Sequence, residues 1–210
     1  MTKFICNNIY EWKHKGHVYG ECMSRKDIDL MYVYIPKNAS SWTKPNLKDW
    51  DWEFFNYHTD NLNKHALVVL RDPIDRWISG IAEYLALYHS NMQLPFYETE
   101  RLIFDRICFD DHTEKQVKFL HGLFTDNCTF MMCDENYRAN FSSFVTKKLG
   151  DNKYYNYAYQ HVSELCPNRS RFTRIFKKLL QTNPKYLEAI QNHFRQDYEL
   201  IKNVKFYGTR

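Results

Sequence analysis

Met31–Trp42 reads MYVYIPKNASSW, and the rest of the chain is understood through this stretch. The apolar and aromatic run from Met31 to Ile35 predicts a buried strand, and Pro36, which has no N–H for a ladder, ends it. Lys37 to Ser41 then turn the chain toward a helix. Such a turn offers backbone N–H groups at the positive end of a helix dipole, where anions bind. Asn38, Ala39, Ser40 and Ser41 are small enough to let a phosphate approach, the two serines add hydroxyls, and Lys37 adds a positive charge. An ordinary strand-to-helix turn with a surface lysine fits the same residues. A standard GxxxxGK[ST] loop does not, because its glycines are missing.

A second stretch, Ala66–Tyr84 (ALVVLRDPIDRWISGIAEY), repeats the plan of apolar run, turn and helix. Pro73 suits a first helical turn and Asp72 suits the N-cap. Arg71 therefore falls where the strand ends and Ser79 about two turns along, so the two are expected to converge on one anion. At these residues the chain resembles the sulfotransferases that use 3'-phosphoadenosine 5'-phosphosulfate (PAPS), in particular the carbohydrate sulfotransferases. Their PK-x-[AG]-[ST]-[ST] loop is similar to IPKNASSW, and their R-[DN]-P-x-x-R-x-x-S segment to RDPIDRWIS, in the same order and each after a strand. The resemblance implies that Lys37, Asn38, Ala39, Ser40, Ser41 and Trp42 hold the 5'-phosphosulfate and that Arg71 and Ser79 hold the 3'-phosphate. It also implies that Asn168–Arg169–Ser170, in a late loop, brings Arg169 and Ser170 to the nucleotide. Arg76 belongs to the same pattern, although an ion pair with Asp72 or Asp75 explains it equally well.

Composition sets the frame for this reading. A chain of 210 residues, 44% hydrophobic, suits one domain over 1–210 with a sizeable core. It contains no apolar run near the roughly 18 residues of a membrane span and no signal-peptide core. The resemblance then implies a compact microbial or viral form acting in the cytoplasm, with no membrane partner. A formal charge of +4 is too mild for a nucleic-acid binder and fits an anionic donor. Six scattered cysteines without a CxxC pair fit reduced thiols. Cys6, His14, His17 and Cys22 match no common zinc spacing, and no metal is expected.

Further along, residues 49–65 (DWDWEFFNYHTDNLNKH) link the two motifs and are rich in titratable groups. Sulfuryl transfer needs a base for the acceptor hydroxyl, and the resemblance puts it in or just beyond this part of the chain. His58 is the first candidate, since its unperturbed pKa lies near neutrality; Glu53 is the second. Apolar spacing predicts helices over Ser41–Lys48, Ile74–His89, Tyr97–Cys108, Asp111–Phe124, Tyr137–Leu149, Phe172–Leu180 and Lys185–Lys202, with a third buried strand over Thr129–Cys133. Asp111–His112–Thr113 with Gln116 resembles a segment that follows the cofactor motifs in carbohydrate sulfotransferases, which makes His112 a possible acceptor contact. Residues 151–171 read as a long tyrosine-rich loop.

Strands alternating with helices predict an α/β fold with a central parallel sheet flanked by helices, and the resemblance narrows this to the P-loop-like sulfotransferase fold. The implied reaction moves a sulfuryl group from PAPS to an acceptor hydroxyl, on a carbohydrate or a small molecule. Two other classes fit part of the pattern: a non-catalytic binder of phosphorylated or sulfated ligands, and a nucleotide kinase.

Overall fold

The computed structural model describes residues 3–4, 19–60, 63–89, 96–150 and 167–208. Along them run β1 (Glu21–Ser24), β2 (Leu30–Val33), α1 (Ser40–Lys48), β3 (Glu53–Asn56), β4 (His65–Leu70), α2 (Pro73–Tyr88), α3 (Phe96–Arg106), β5 (Cys128–Met132), α4 (Tyr137–Leu149), α5 (Pro167–Thr182), α6 (Pro184–His193) and α7 (Arg195–Asn203). The chain divides into two compact units. One takes Met1–Arg71, Gln116–Tyr159 and Leu200–Arg210; the other takes Asp72–Lys115 and Gln160–Glu199.

The first unit holds a five-stranded sheet in the order β3-β1-β2-β4-β5. Its three apolar strands β2, β4 and β5 are parallel, as their pattern predicts. The sheet as a whole is mixed, because β1 runs antiparallel to both β2 and β3. The connection from β1 to β2 is the short turn 25–29, which allows only an antiparallel partner, since a parallel one needs a crossover of a dozen residues or more. Residues 49–65 supply β3, which pattern alone did not mark as a strand.

Alternation along the strands sorts the core into two layers. Met31, Val33, Ile35, Ala66, Val68 and Leu70 face a layer that includes Tyr57, Val117, Phe119, Leu120, Leu123 and Leu200. Tyr32, Tyr34, Leu67, Val69 and Met131 face the opposite way, onto Trp42 and Leu47 of α1 and Tyr137, Phe141 and Val145 of α4. Each fully buried Leu or Val contributes roughly 1.5–3 kcal/mol of transfer free energy, so this two-sided burial fixes the strand register. Beyond β5, Phe206 forms a parallel bridge with Phe130. At the β3 end, Phe54 is exposed, with the ammonium groups of Lys44 and Lys48 5.9 and 5.7 Å from its ring centroid.

The second unit is helical. Trp77, Ile81 and Leu85 recur at i, i+4 along α2 and pack against Phe104 of α3, Phe176 and Leu180 of α5, Ile190 of α6, and Phe194. The Trp77 indole N–H donates to the Ile107 carbonyl at 2.8 Å. Asp72 caps α2 by accepting from the Asp75 amide at 2.9 Å, and Pro73 opens the helix. Both features were legible in the sequence.

Three expected helices change. Residues 111–124 do not form one: 110–115 is a turn, followed by a 3₁₀ segment over Gln116–Leu120. The Thr113 hydroxyl takes the amides of Phe109 and Asp110, a local bonding pattern that competes with the helix ladder. Lys185–Lys202 splits at Phe194, whose carbonyl accepts the amides of Asp197 and Tyr198 and so starts α7. The helix expected from Phe172 begins at Pro167, which suits a first turn. Among the described residues, no helix is long and apolar enough to cross a membrane.

Candidate anion-binding site

The loop that leaves β2 has an unusual backbone. Lys37 (φ 70°) and Ala39 (φ 57°) both adopt the left-handed conformation, which costs a residue with a side chain roughly 1–3 kcal/mol. Asn38 between them is fully buried, and its amide donates to the Val69 carbonyl at 2.6 Å and to Gln116 Oε1 at 2.7 Å. Asn38, a small residue expected to line the ligand, thereby anchors the loop to β4. Gln116, also fully buried, accepts from the Arg71 amide and donates from Nε2 to the Arg71 carbonyl, both at 2.9 Å. The Arg71 guanidinium in turn donates to the Lys37 carbonyl at 3.1 Å. Parallel neighbours β2 and β4 thus end with their two motif residues, Lys37 and Arg71, in direct contact.

The Ala39 carbonyl accepts from the amides of Trp42 and Thr43 and so opens α1. The first amides of a helix have no intrahelical acceptor, and α1 has no acidic residue in its first turn to offset the dipole. Ser40 is largely buried and Ser41 exposed. Trp42, expected at the cofactor, is 6% exposed and packed edge-on against Tyr137 and Phe141.

Ser79 belongs to the second unit, on α2, while Arg71 belongs to the first. The Ser79 hydroxyl accepts from Arg169 at 3.3 Å, and another guanidinium nitrogen of Arg169 lies 3.6 Å from Glu83 Oε2. Arg169 and Ser170 stand in the first turn of α5, not in a loop, and Ser170 is exposed. Residues 151–166, where that loop was expected, lie outside the described residues, as do Cys6, His14 and His17. Cys22, Cys108, Cys128 and Cys133 remain thiols, none in a disulfide, and burial pushes the Cys22 thiol up to about 12.

Glu83 also approaches His112 Nε2 at 3.4 Å, while His112 Nδ1 lies 2.8 Å from Asp111 Oδ1 and 3.3 Å from Asp110 Oδ2. Burial pulls the His112 pKa down, but the hydrogen bonds and charges of Asp110 and Asp111 outweigh it and the net shift is upward. Asp110, Asp111 and His112 have the donor atoms and proximity to hold a metal ion. When protonated, the His112 imidazole supplies the positive charge that this pair of carboxylates calls for. His112, expected as a possible acceptor contact, is 6% exposed. Arg76, 1% exposed, donates to the carbonyls of Glu114 and Asp111 and faces the charge of Asp197.

The two candidate bases are not brought to the loop. Glu53 pairs with Ser24, and Ser24 with Met31, so Glu53 is level with Met31, five residues before Pro36 or roughly 16 Å back along the strand direction. His58 follows the other end of β3, two strands away from β2. Its ring lies against Tyr57 and His121, with Gly20 and Gly122 so close that an alanine Cβ would meet it at 2.5 and 3.0 Å. Tyr57 belongs to the core layer opposite the one that α1 covers. Burial first, then the charges of His121 and Lys3, lower the His58 pKa, so the ring is neutral at pH 7. Sequence reasoning passed over Glu83, although it stands at i+4 from Ser79 and so on the same face of α2.

Compared with known proteins, the chain matches no family model, no curated protein and no solved structure.

Proposed function

We propose that the protein is a PAPS-dependent sulfotransferase of the P-loop-like fold, moving a sulfuryl group to the hydroxyl of a carbohydrate or small-molecule acceptor. The observation that carries this reading is the Arg71–Lys37 contact at 3.1 Å, which joins the two motif residues at the C-terminal ends of adjacent parallel strands. Open α/β sheets bind nucleotides at that end. In the reaction the sulfur–oxygen bond to the 5'-phosphate breaks, a bond to the acceptor oxygen forms, and the acceptor proton leaves to a base. Negative charge grows on the bridging oxygen. Lys37 and the amides of Ala39, Ser40 and Ser41 stabilise it as fixed donors, without reorganisation. The product is adenosine 3',5'-bisphosphate.

One observation favours a second reading, a module that binds such a ligand without turning it over: neither His58 nor Glu53 stands beside the loop. Calorimetry with adenosine 3',5'-bisphosphate against ATP–Mg²⁺ tests the nucleotide assignment, and preference for ATP–Mg²⁺ overturns it in favour of a kinase. A radiolabelled sulfate-transfer screen across glycan and small-molecule acceptors then separates enzyme from binder.

A further inference from the structure

Gln116 joins the loop of one motif to the backbone of the other, and we infer that it is the positioning residue through which the two phosphates of one nucleotide are recognised together. This inference rests on the nucleotide reading above. Gln116 opens the 3₁₀ segment whose Val117, Phe119 and Leu120 are buried in the core, so its backbone is fixed by packing. From that fixed point its side chain bonds three groups: the Asn38 amide, the Arg71 N–H and the Arg71 carbonyl. Asn38 sits between the two left-handed residues of the loop, so its orientation sets where the helix-start amides point. The Arg71 backbone sets where the guanidinium goes, and the guanidinium closes the circuit on the Lys37 carbonyl.

A circuit of this kind couples its two ends. A ligand with a phosphate at each end gains from the shared geometry, whereas one with a single phosphate gains only from its own end. Gln116 therefore governs selectivity for a 3',5'-bisphosphate over a 5'-monophosphate. Methionine keeps the length and volume of glutamine but makes none of the three bonds. Glutamate, kept neutral by burial, keeps the two acceptor roles and donates its carboxyl proton to the Arg71 carbonyl.

The test compares the wild-type chain with Gln116→Met and Gln116→Glu, reading the affinities of adenosine 3',5'-bisphosphate and 5'-AMP, the Tm, and amide hydrogen exchange at Arg71. In the wild type the Arg71 amide should exchange as slowly as the ladder amides of β4; fast exchange overturns the coupling outright. Gln116→Met should speed that exchange and lower the bisphosphate-to-monophosphate affinity ratio by about tenfold, the scale of a lost charge-assisted contact. Gln116→Glu should keep the amide protected and the ratio within about threefold of wild type. Losses for both ligands in parallel with Tm would reduce Gln116 to a packing residue and overturn the inference. So would an opened latch with an unchanged ratio. If the wild type binds neither nucleotide, the nucleotide reading fails and takes this inference with it; if it binds both and the variants bind alike, only the inference fails. Should Gln116→Met not fold, the wild-type exchange and Gln116→Glu still decide.

Discussion

Replacing Gly80 by alanine sets two effects of opposite sign against each other. Gly80 lies inside α2, where glycine is roughly 0.8–1 kcal/mol less favourable than alanine, so helix propensity alone makes the change stabilising. Space argues the other way. A Cβ at Gly80 would overlap the His112 carbonyl, with the carbonyl carbon at 2.8 Å and Thr113 Cγ2 at 3.2 Å. The obstacle is backbone, and it is held: Arg76 bonds the carbonyls of Asp111 and Glu114, and Thr113 Oγ1 takes the amides of Phe109 and Asp110. It cannot swing aside as a flexible side chain would. Overpacking costs about 1–3 kcal/mol, and against held backbone it takes the upper end, so the net effect is a loss of about 2 kcal/mol. For a chain of this length that lowers Tm by about 4–8 °C, measurable by circular dichroism or calorimetry. A variant as stable as the wild type, or more stable, would show that α2 does not approach the 110–115 turn this closely.

Arg71→Ala should weaken adenosine 3',5'-bisphosphate binding tenfold or more, since a charge-assisted contact contributes roughly 1.5–3 kcal/mol, and calorimetry giving an equal loss for 5'-AMP would take Arg71 off the 3'-phosphate. His58→Ala and Glu53→Gln should each leave turnover within about threefold, because neither residue stands at the loop; a fall of roughly 10²-fold in kcat for either variant would make that residue the base. Turnover should survive EDTA, and a loss reversed by added zinc or magnesium would show that Lys37 and the amides are not the source of positive potential. For His112 the folded pKa is raised, so its stabilising contribution is complete below the unfolded value near 6.5 and is lost as pH rises through the folded value. Tm should therefore fall as pH rises above about 6.5, and fall less in His112→Gln; identical slopes would refute the acid-flanked imidazole.

The strands β2 and β4, α1 with its internal Pro45, and α2 with its cap were legible because each is written in local terms: an apolar run, a proline, an aspartate at the right offset. The turn at 110–115 was not, since Val117, Leu120 and Phe124 have helical spacing and the side-chain bonds of Thr113 decide otherwise. Lys37 was legible as a loop charge. The anchoring role of Asn38 was hidden, because its partners Val69 and Gln116 are brought to it only by the folded sheet. The same applies to Arg76, whose acceptors are carbonyls far along the chain. A local pattern announces a residue that acts through its neighbours in sequence and is silent about one that acts through neighbours in space.

The lysines over Phe54 bear on how the molecule behaves in concentrated solution. A strand at the rim of a sheet is a template on which another chain can add, and β3 carries an exposed aromatic ring that would reward such an addition. Lys44 and Lys48, one turn apart on α1, place two ammonium groups over that ring, and an incoming strand would have to strip both of water. The helix that begins at the candidate anion site therefore ends as a guard against aggregation. Chemistry that neutralises lysines, such as acetylation, would lower the guard without touching the core.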